Sequence, residues 1–490
     1  MLLLGAILRF ATLDLQSYRY DEAVTVGRIL HPSLFDTLAA VRRSESTPPL
    51  YYVVAWLWSR PFGSGEVAMR SLSALAGTAS IAVVYLSAVA LPLPRRAGLV
   101  AAAIAAVSPV LVWFSQDARA YALVFLLTAL SFLFFARARR SGASGALGWW
   151  AATSVAALFT HYFAAFVVAP EAALLLMSHF YSHSGEKCDI EAVVKRRRRV
   201  LVAIGVVVVG GASLLPVALH QVGNAHAGWI PKQPVTQRLE RAGAKLVGED
   251  NGDEHGARQP GPIPLGVPAL LALAALALLL WRGDAQERRG GVIAAAVGLT
   301  GVAIPFLLGV FGADYLDGRN LIPVFVPLIV LLAAGFGVRR AGWIGIALAA
   351  AFCFCALVFT VEIDRLPRLQ REDLRNAAQQ IEPLRPGTAV VTVRYSANQP
   401  LRYYLGAHFA KGRLPALREI DLVGSARVER NARRLLPPSF HRVESKPVSY
   451  SFTLTRYRSA QLVHISLRTL EAGALVGGGA KASVLISRSQ

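Results

Sequence analysis

From its first residue to Thr360 the chain repeats one pattern, an apolar run followed by a short polar break. A helix needs about 20 apolar residues to cross hydrocarbon while satisfying its own backbone bonds. A chain built on this repeat is therefore held to a polytopic helical membrane fold, and about eleven such runs can be marked. They are Met1–Leu13, Val67–Leu91, Ala97–Trp113, Ala120–Ala136, Ala146–Phe159, Phe163–Tyr181, Val200–His220, Leu265–Trp281, Gly291–Phe311, Leu321–Val338 and Ala341–Thr360. The first is short for a span and has no small-residue cleavage site, as if the start lay inside a longer first helix. Composition agrees: 490 residues that are 54% hydrophobic and 17% charged carry too little charge to cover a soluble domain of that size.

A net charge of +21 would suggest nucleic acid in a soluble protein, but its distribution gives another reason. Arg95-Arg96, Arg137 with Arg139-Arg140, Lys195 with Arg196 to Arg199, Arg282 with Arg288-Arg289, and Arg339-Arg340 fall in alternate breaks. Positive charge concentrates in cytoplasmic loops, so those breaks are assigned to the cytoplasm, together with the N-terminus. Leu13–Glu66, Ser115–Arg119, Thr160–Tyr162, Gln221–Pro262, Gly312–Asn320 and everything after Thr360 are assigned outside. The charge is topological and nucleic acid is not an expected partner. Abundant alanine and a high ratio of arginine to lysine fit a GC-rich bacterial genome, hence a bacterial cytoplasmic membrane. Cys188, Cys353 and Cys355 form neither a disulfide framework nor a metal-ligand spacing.

Two outer segments are long. Leu13–Glu66 holds short helices expected at His31–Val41 and Thr47–Trp58, the second opening on Pro48-Pro49; its tyrosines and tryptophans suit headgroup depth. Gln221–Pro262 is polar and irregular, and its acidic cluster Glu249–His255 lacks a ligand-binding spacing. After Thr360 hydropathy falls. Helical character over Glu362–Gln380, a buried strand at Thr388–Val393, a helix over Gln399–Gly406 and strands at Tyr450–Thr455 and Leu462–Leu467 describe a small α/β domain over 362–490, following a membrane domain over 1–361.

Candidate chemical groups gather on the outer side. The first loop offers Tyr20, Asp21, Glu22 and Glu45; the second, Ser115-Gln116-Asp117-Ala118-Arg119-Ala120-Tyr121; the third, His161-Tyr162; a later one, Asp314-Tyr315-Leu316-Asp317-Gly318-Arg319. Carboxylates beside guanidinium groups suit a reaction in which a hydroxyl loses its proton while a phosphate leaves. Plainer readings stay open: Asp117 and Arg119 pairing with each other, His161 as a satisfied loop histidine, Arg319 snorkelling. Glu171 lies within a run, where an ionisable group is costly, and is either functional or hydrogen-bonded to a neighbouring helix.

These residues carry a family resemblance. Leu8-Arg9-Phe10, Leu13-Asp14-Leu15-Gln16-Ser17 and Tyr20-Asp21-Glu22-Ala23 resemble the opening of GT-C membrane glycosyltransferases. More narrowly they resemble the glycosyltransferase 39 group, which includes protein O-mannosyltransferases and the lipid A aminoarabinose transferase. Thr47-Pro48-Pro49-Leu50-Tyr51-Tyr52 is similar to that group's His-Pro-Pro-Leu-Tyr-Tyr motif, with Thr47 in place of histidine. Ser108-Pro109 and Ser115-Gln116-Asp117-Ala118-Arg119-Ala120-Tyr121-Ala122-Leu123 resemble its second-loop segment. Thr160-His161-Tyr162 and Arg319-Asn320-Leu321-Ile322-Pro323 also have counterparts, Asn320 standing where an aromatic residue is common.

The resemblance implies inverting transfer of a sugar from a polyprenyl-phosphate donor to a hydroxyl of a lipid, glycan or protein. Asp21 would be the general base with Glu22 beside it. Asp117, expected to be catalytic together with Asp21 and Glu22, and Arg119, expected to bind substrate, match the second-loop motif. Arg319 would meet the donor phosphate, and so would Lys232, after the loop-like Gly228-Trp229-Ile230-Pro231. Glu45, Tyr20, His161 and Tyr162 complete the expected substrate contacts; no cofactor is assigned, and a divalent metal is left open. The competing class is a transporter or flippase, which would be expected to show repeated halves or interrupted helices and would not need a large outer domain; no repeat is evident, and the outer domain is expected.

Overall fold

The computed structural model describes all residues except 142, 181–189, 223–262, 265, 312–314, 426–431, 433, 477–480 and 488–490. Lys232, Asp314, Cys188, the Gly228–Pro231 segment and the acidic cluster at 249–255 lie outside the described residues. The chain divides into two compact units, Met1–Leu13 with His31–Arg365, and Asp14–Leu30 with Leu366–Gln490.

The first unit is helical, and each apolar run carries a helix. Among the described residues, five helices are long and apolar enough to cross a membrane, or six if one bent pair counts as a single span. Three further apolar helices are shorter. The bent pair corrects the expected span Ala97–Trp113: helices Arg95–Val107 and Pro109–Ser115 meet at 56°. Proline lacks the N–H that would continue the ladder and pushes the preceding residue out of the helical region; Ser108 accordingly has φ −58° and ψ 119°. The expected span Val200–His220 lies within one apolar helix, Val193–Gln221, with a local turn between Ile190–Ala212 and Leu215–Val222. The expected outer helices are Leu34–Ser44, capped by the Ser33 hydroxyl, and Leu50–Phe62, which starts directly after Pro48-Pro49.

The core of this unit is one contiguous cluster drawn from most of its helices. Small residues let backbones approach closely. A Cβ at Gly335 would stand 2.1 Å from the Ala275 carbonyl oxygen, and one at Gly77 would stand 2.0 Å from Ser115 Oγ. Gly77 thus leaves room for the buried Arg9, whose Nη atoms donate to the carbonyls of Gly5, Ala105 and Ala106 and whose Nε donates to Ser115. That guanidinium supplies partners to carbonyls left over where the helix breaks at Ser108-Pro109. Glu171 joins three helices: its Oε2 accepts from Ser131 Oγ at 2.5 Å and Trp150 Nε1 at 2.9 Å, and Ser131 bonds Ser154. The hydrogen bonding to neighbouring helices that one of its two readings expected is present.

The second unit is built on a six-stranded sheet: β1 (Thr388–Thr392), β2 (His408–Phe409), β3 (Leu417–Gly424), β4 (His441–Pro447), β5 (Thr453–Val463) and β6 (Ser483–Ile486), in the order β2-β6-β1-β3-β5-β4. Among the described residues β1 with β3 is the only neighbouring pair that is parallel, and the chain between them passes through helix Asn398–Tyr404 and β2. Alternate residues face opposite sides: Ala389 and Val391 enter one core, Val390 with Val423, Leu454 and Leu485 the other. The expected strand at Tyr450–Thr455 begins only at Thr453, because Val448 N–H turns back to the Phe452 carbonyl. Of the expected strand Leu462–Leu467 only Leu462 and Val463 are strand, as the end of β5; Ser466 Oγ caps helix Leu467–Leu470 by accepting from Thr469 N–H.

Candidate active site

Tyr20, Asp21 and Glu22 belong to the second unit, in the short helix Tyr20–Val24. The segment before it is stitched to the chain beyond Leu366. Gln16 Oε1 accepts from Arg371 N–H, and Ser17 Oγ donates to the Glu372 carbonyl while accepting from Leu374 N–H. Arg375 donates to the Asp14 carbonyl, and Tyr18 N–H donates to Tyr404 Oη at 2.6 Å. Tyr18 is wholly buried, edge-on to Tyr403.

These contacts give the two adjacent acids different surroundings. Glu22 is 0% exposed; its Oε2 accepts from Arg19 N–H at 3.1 Å, closing the helix start, and from Arg371 Nη1 at 3.2 Å. Asp21 keeps 29% of its side chain exposed, 3.7 Å from the Arg19 guanidinium. Beside it, Tyr20 packs edge-on to Tyr395, over which Arg394 lies at 5.0 Å. Tyr395 has φ +69°, a strained conformation for a bulky residue that often accompanies function. It sits just past the end of β1, where α/β sheets place ligands.

The remaining candidates are in the first unit. Glu45 Oε2 is the focus: Tyr52 Oη donates to it at 2.5 Å, and both Arg119 Nη atoms at 3.3 Å. Arg119 also reaches Tyr52 Oη at 3.1 Å, and Thr47 Oγ1 bonds the same hydroxyl at 3.2 Å. All of this is buried or nearly so; burial, more than the neighbouring charges, holds the Tyr52 hydroxyl well above its ordinary pKa. Asp117, also wholly buried, anchors the loop through its carbonyl, which accepts from Ser73 Oγ at 2.7 Å. Arg119 therefore has a carboxylate partner in Glu45, a pairing across 74 residues that the sequence did not suggest.

His161 closes the same region. Its ring packs on Tyr121 and Phe163, and its Nδ1 accepts from Phe163 N–H. Burial, then the cationic Arg119 and Arg319, push its pKa down to about 3. It is thus a neutral imidazole with its proton on Nε2, and Arg119 and Arg319 both lie within its electrostatic reach. Arg319 is held by Asp317, whose carboxylate accepts from the Arg319 backbone and stands 3.6 Å from Nε. Tyr162 donates to Gln221 Oε1, and Gln221 Nε2 donates to the carbonyls of Val41 and Thr47; partial burial raises the Tyr162 hydroxyl to about 12. The first unit therefore brings Glu45, Arg119, His161 and Arg319 into one neighbourhood, with Tyr52 as the member sequence reasoning had left as an interfacial aromatic. Among the described residues, no three His, Cys, Asp or Glu side chains stand together as a metal ion would require.

Comparison with known proteins adds to this. Residues 46–188, which hold Tyr52, Arg119 and His161, match the sequence family described as dolichyl-phosphate-mannose-protein mannosyltransferase. The solved structure of ArnT from Cupriavidus metallidurans bound to undecaprenyl phosphate is similar over 94% of this chain and 98% of its own, with 12% identity and a TM-score of 0.55. The arabinofuranosyltransferase AftD from Mycobacteria is similar over 94% of this chain and 39% of its own, with 15% identity and a TM-score of 0.49. No curated protein matches the sequence.

Proposed function

We propose that this chain, which has the GT-C membrane glycosyltransferase fold and carries the mannosyltransferase-family match over residues 46–188, transfers a sugar from a polyprenyl-phosphate donor to an acceptor hydroxyl. The reaction takes place on the outer face of the cytoplasmic membrane, where positive-inside charge puts the candidate loops and the second unit. The observation that carries this reading is the difference between the two adjacent acids. Glu22 is locked in a buried pair with Arg371, which leaves Asp21 accessible and fixed in the first turn of its helix.

Asp21 takes the proton of the acceptor hydroxyl. The oxygen attacks the anomeric carbon from the face opposite the phosphate, the bond between that carbon and the phosphate oxygen breaks, and the configuration inverts. The leaving phosphate gains charge, which guanidinium groups stabilise. Arg319 and Arg119 serve there, with Lys232 as a further contact. Glu45 and Tyr52 orient Arg119, Glu22 orients Asp21, and Asp117 holds the second loop. Neutral His161 leaves the neighbouring arginines their attraction for phosphate, and its Nε2–H is left to donate to an oxygen. Tyr20 and Tyr162 contribute aromatic and hydroxyl contacts. The acceptor is a lipid, a glycan or a protein. The conserved handle of the donor, phosphate plus polyprenyl chain, is met by arginines and by the bundle's apolar surface.

The test supplies membranes containing the protein with radiolabelled polyprenyl-phosphate sugars and an envelope extract, with and without a chelator. Label is expected in an extracted lipid, glycan or protein fraction, with inverted anomeric configuration. Label that crosses sealed vesicles without being transferred to any acceptor would overturn the proposal in favour of a transporter.

A further inference from the structure

The second unit carries a cationic cleft away from Asp21 and Glu22 in sequence, of about 790 Å³, lined by Arg402, His408, Phe409, Lys411 and Arg413 with Pro415 and Ile486 on its apolar side. Local structure explains the clustering. β2 places His408 and Phe409 against β6, pairing with Ile486 and Leu485. The chain then turns through Gly412 at φ +68°, which leaves Lys411 and Arg413 both exposed on the rim. Arg402, from helix Asn398–Tyr404, extends its guanidinium over the Phe409 ring at 5.5 Å. Among the described residues, the lining contains no acid. Across Arg413 lies a second cleft of about 420 Å³ with Leu414, Ile465 and Arg468; its acid, Glu471, faces Lys481 at 3.9 Å.

We propose that this cleft is a binding site for an acidic saccharide, a sugar chain bearing phosphate or carboxylate groups. Guanidinium and ammonium groups of the lining recognise the anion, Arg402 being backed by the Phe409 ring, and Pro415 and Ile486 offer apolar surface to the carbon face of a sugar ring. The volume is that of a small-molecule site, and its continuation past Arg413 suits several linked units rather than one ion. A membrane-surface patch would need only exposed cations, not a cleft that combines them with Phe409, Pro415 and Ile486. That the bound saccharide is the acceptor of the transfer reaction rests on the function proposed above.

The test is calorimetric titration of the full chain in uncharged detergent, with no lipid donor present, so that its outcome is independent of transfer. The probes are a tetragalacturonate, a mannotetraose bearing a terminal phosphate, and unmodified mannotetraose. Wild type is expected to bind one or both acidic probes at least about tenfold more tightly than the neutral one, and the stronger of the two names the anion. The double variant Lys411→Glu with Arg413→Glu, both on an exposed turn, is expected to lose that preference and keep the wild-type thermal midpoint. Equal binding of acidic and neutral probes by wild type, or an undiminished preference in the variant, overturns the proposal. So does variant-sensitive flotation with phosphatidylglycerol vesicles when no saccharide binds, which would make the site a membrane contact.

Discussion

Replacing Glu22 by Gln separates a structural acid from a catalytic one. Glu22 Oε2 accepts from Arg19 N–H at 3.1 Å and Arg371 Nη1 at 3.2 Å, and the two paired side chains are 0% and 4% exposed. Gln preserves volume and can still accept from Arg19, but leaves Arg371 buried opposite a neutral group. Breaking one side of a buried ion pair costs about 3–5 kcal/mol, and the retained bond puts this case near the lower end, about 3 kcal/mol. For a unit of this size each kcal/mol moves the midpoint by about 2–4 °C, so a fall of roughly 6–12 °C is expected. The assay is a thermal melt of purified protein beside transfer measured well below the midpoint, where Glu22→Gln should keep at least a substantial rate. The double variant with Arg371→Gln should recover part of the lost stability, since the buried Glu22–Arg371 pair is then removed from both sides. An unchanged midpoint with transfer abolished would refute the reasoning and make Glu22 a member of the catalytic machinery.

Three further outcomes follow from the same structure. Tyr52→Phe removes the hydroxyl that bonds Glu45, Arg119 and Thr47; at about 1–3 kcal/mol for a buried bond, kcat/KM should fall by roughly tenfold or more, read in steady-state kinetics against donor concentration. His161 has its pKa lowered from 6.5 to about 3. The unfolded chain therefore takes up a proton there between those values and the folded chain does not, so stability falls as pH drops through 6.5. Between pH 7 and pH 5 this amounts to about 2 kcal/mol, and His161→Gln should show a correspondingly smaller acid-induced fall in melting temperature. Arg9→Gln strips donors from the Ala105 and Ala106 carbonyls and from Ser115; a lower midpoint and weaker transfer are expected in the same preparation, because helix Pro109–Ser115, which begins at that break, leads into the second loop.

The long apolar helices were legible because a helix able to cross hydrocarbon needs a length and a composition that show in the sequence itself. Proline at position 109 was equally visible, yet whether it starts a helix or breaks a span depends on what can serve the freed carbonyls. Here that is Arg9, more than 90 residues away in sequence. In the sheet, Thr388–Thr392 announced itself as an apolar run because both faces are covered. β4, His441–Pro447, did not, because an edge strand carries charges that prevent further pairing. The candidate residues were found as residue types in loops, but not their partners. Nothing local to Glu22 points to Arg371, 349 positions on, and nothing in the second loop points to Glu45. Those pairings decide which acid stays accessible, and they arise only on folding.

The most direct measurement of the central claim compares wild type with Asp21→Asn in donor binding and in transfer of label to the acceptor. Asn keeps the size of the side chain and its place in the first turn, so donor binding and the thermal midpoint should be unchanged while transfer falls by several orders of magnitude. Transfer at the wild-type rate by Asp21→Asn would contradict the assignment of the base, and with it the account of why Glu22 is buried and Asp21 is not.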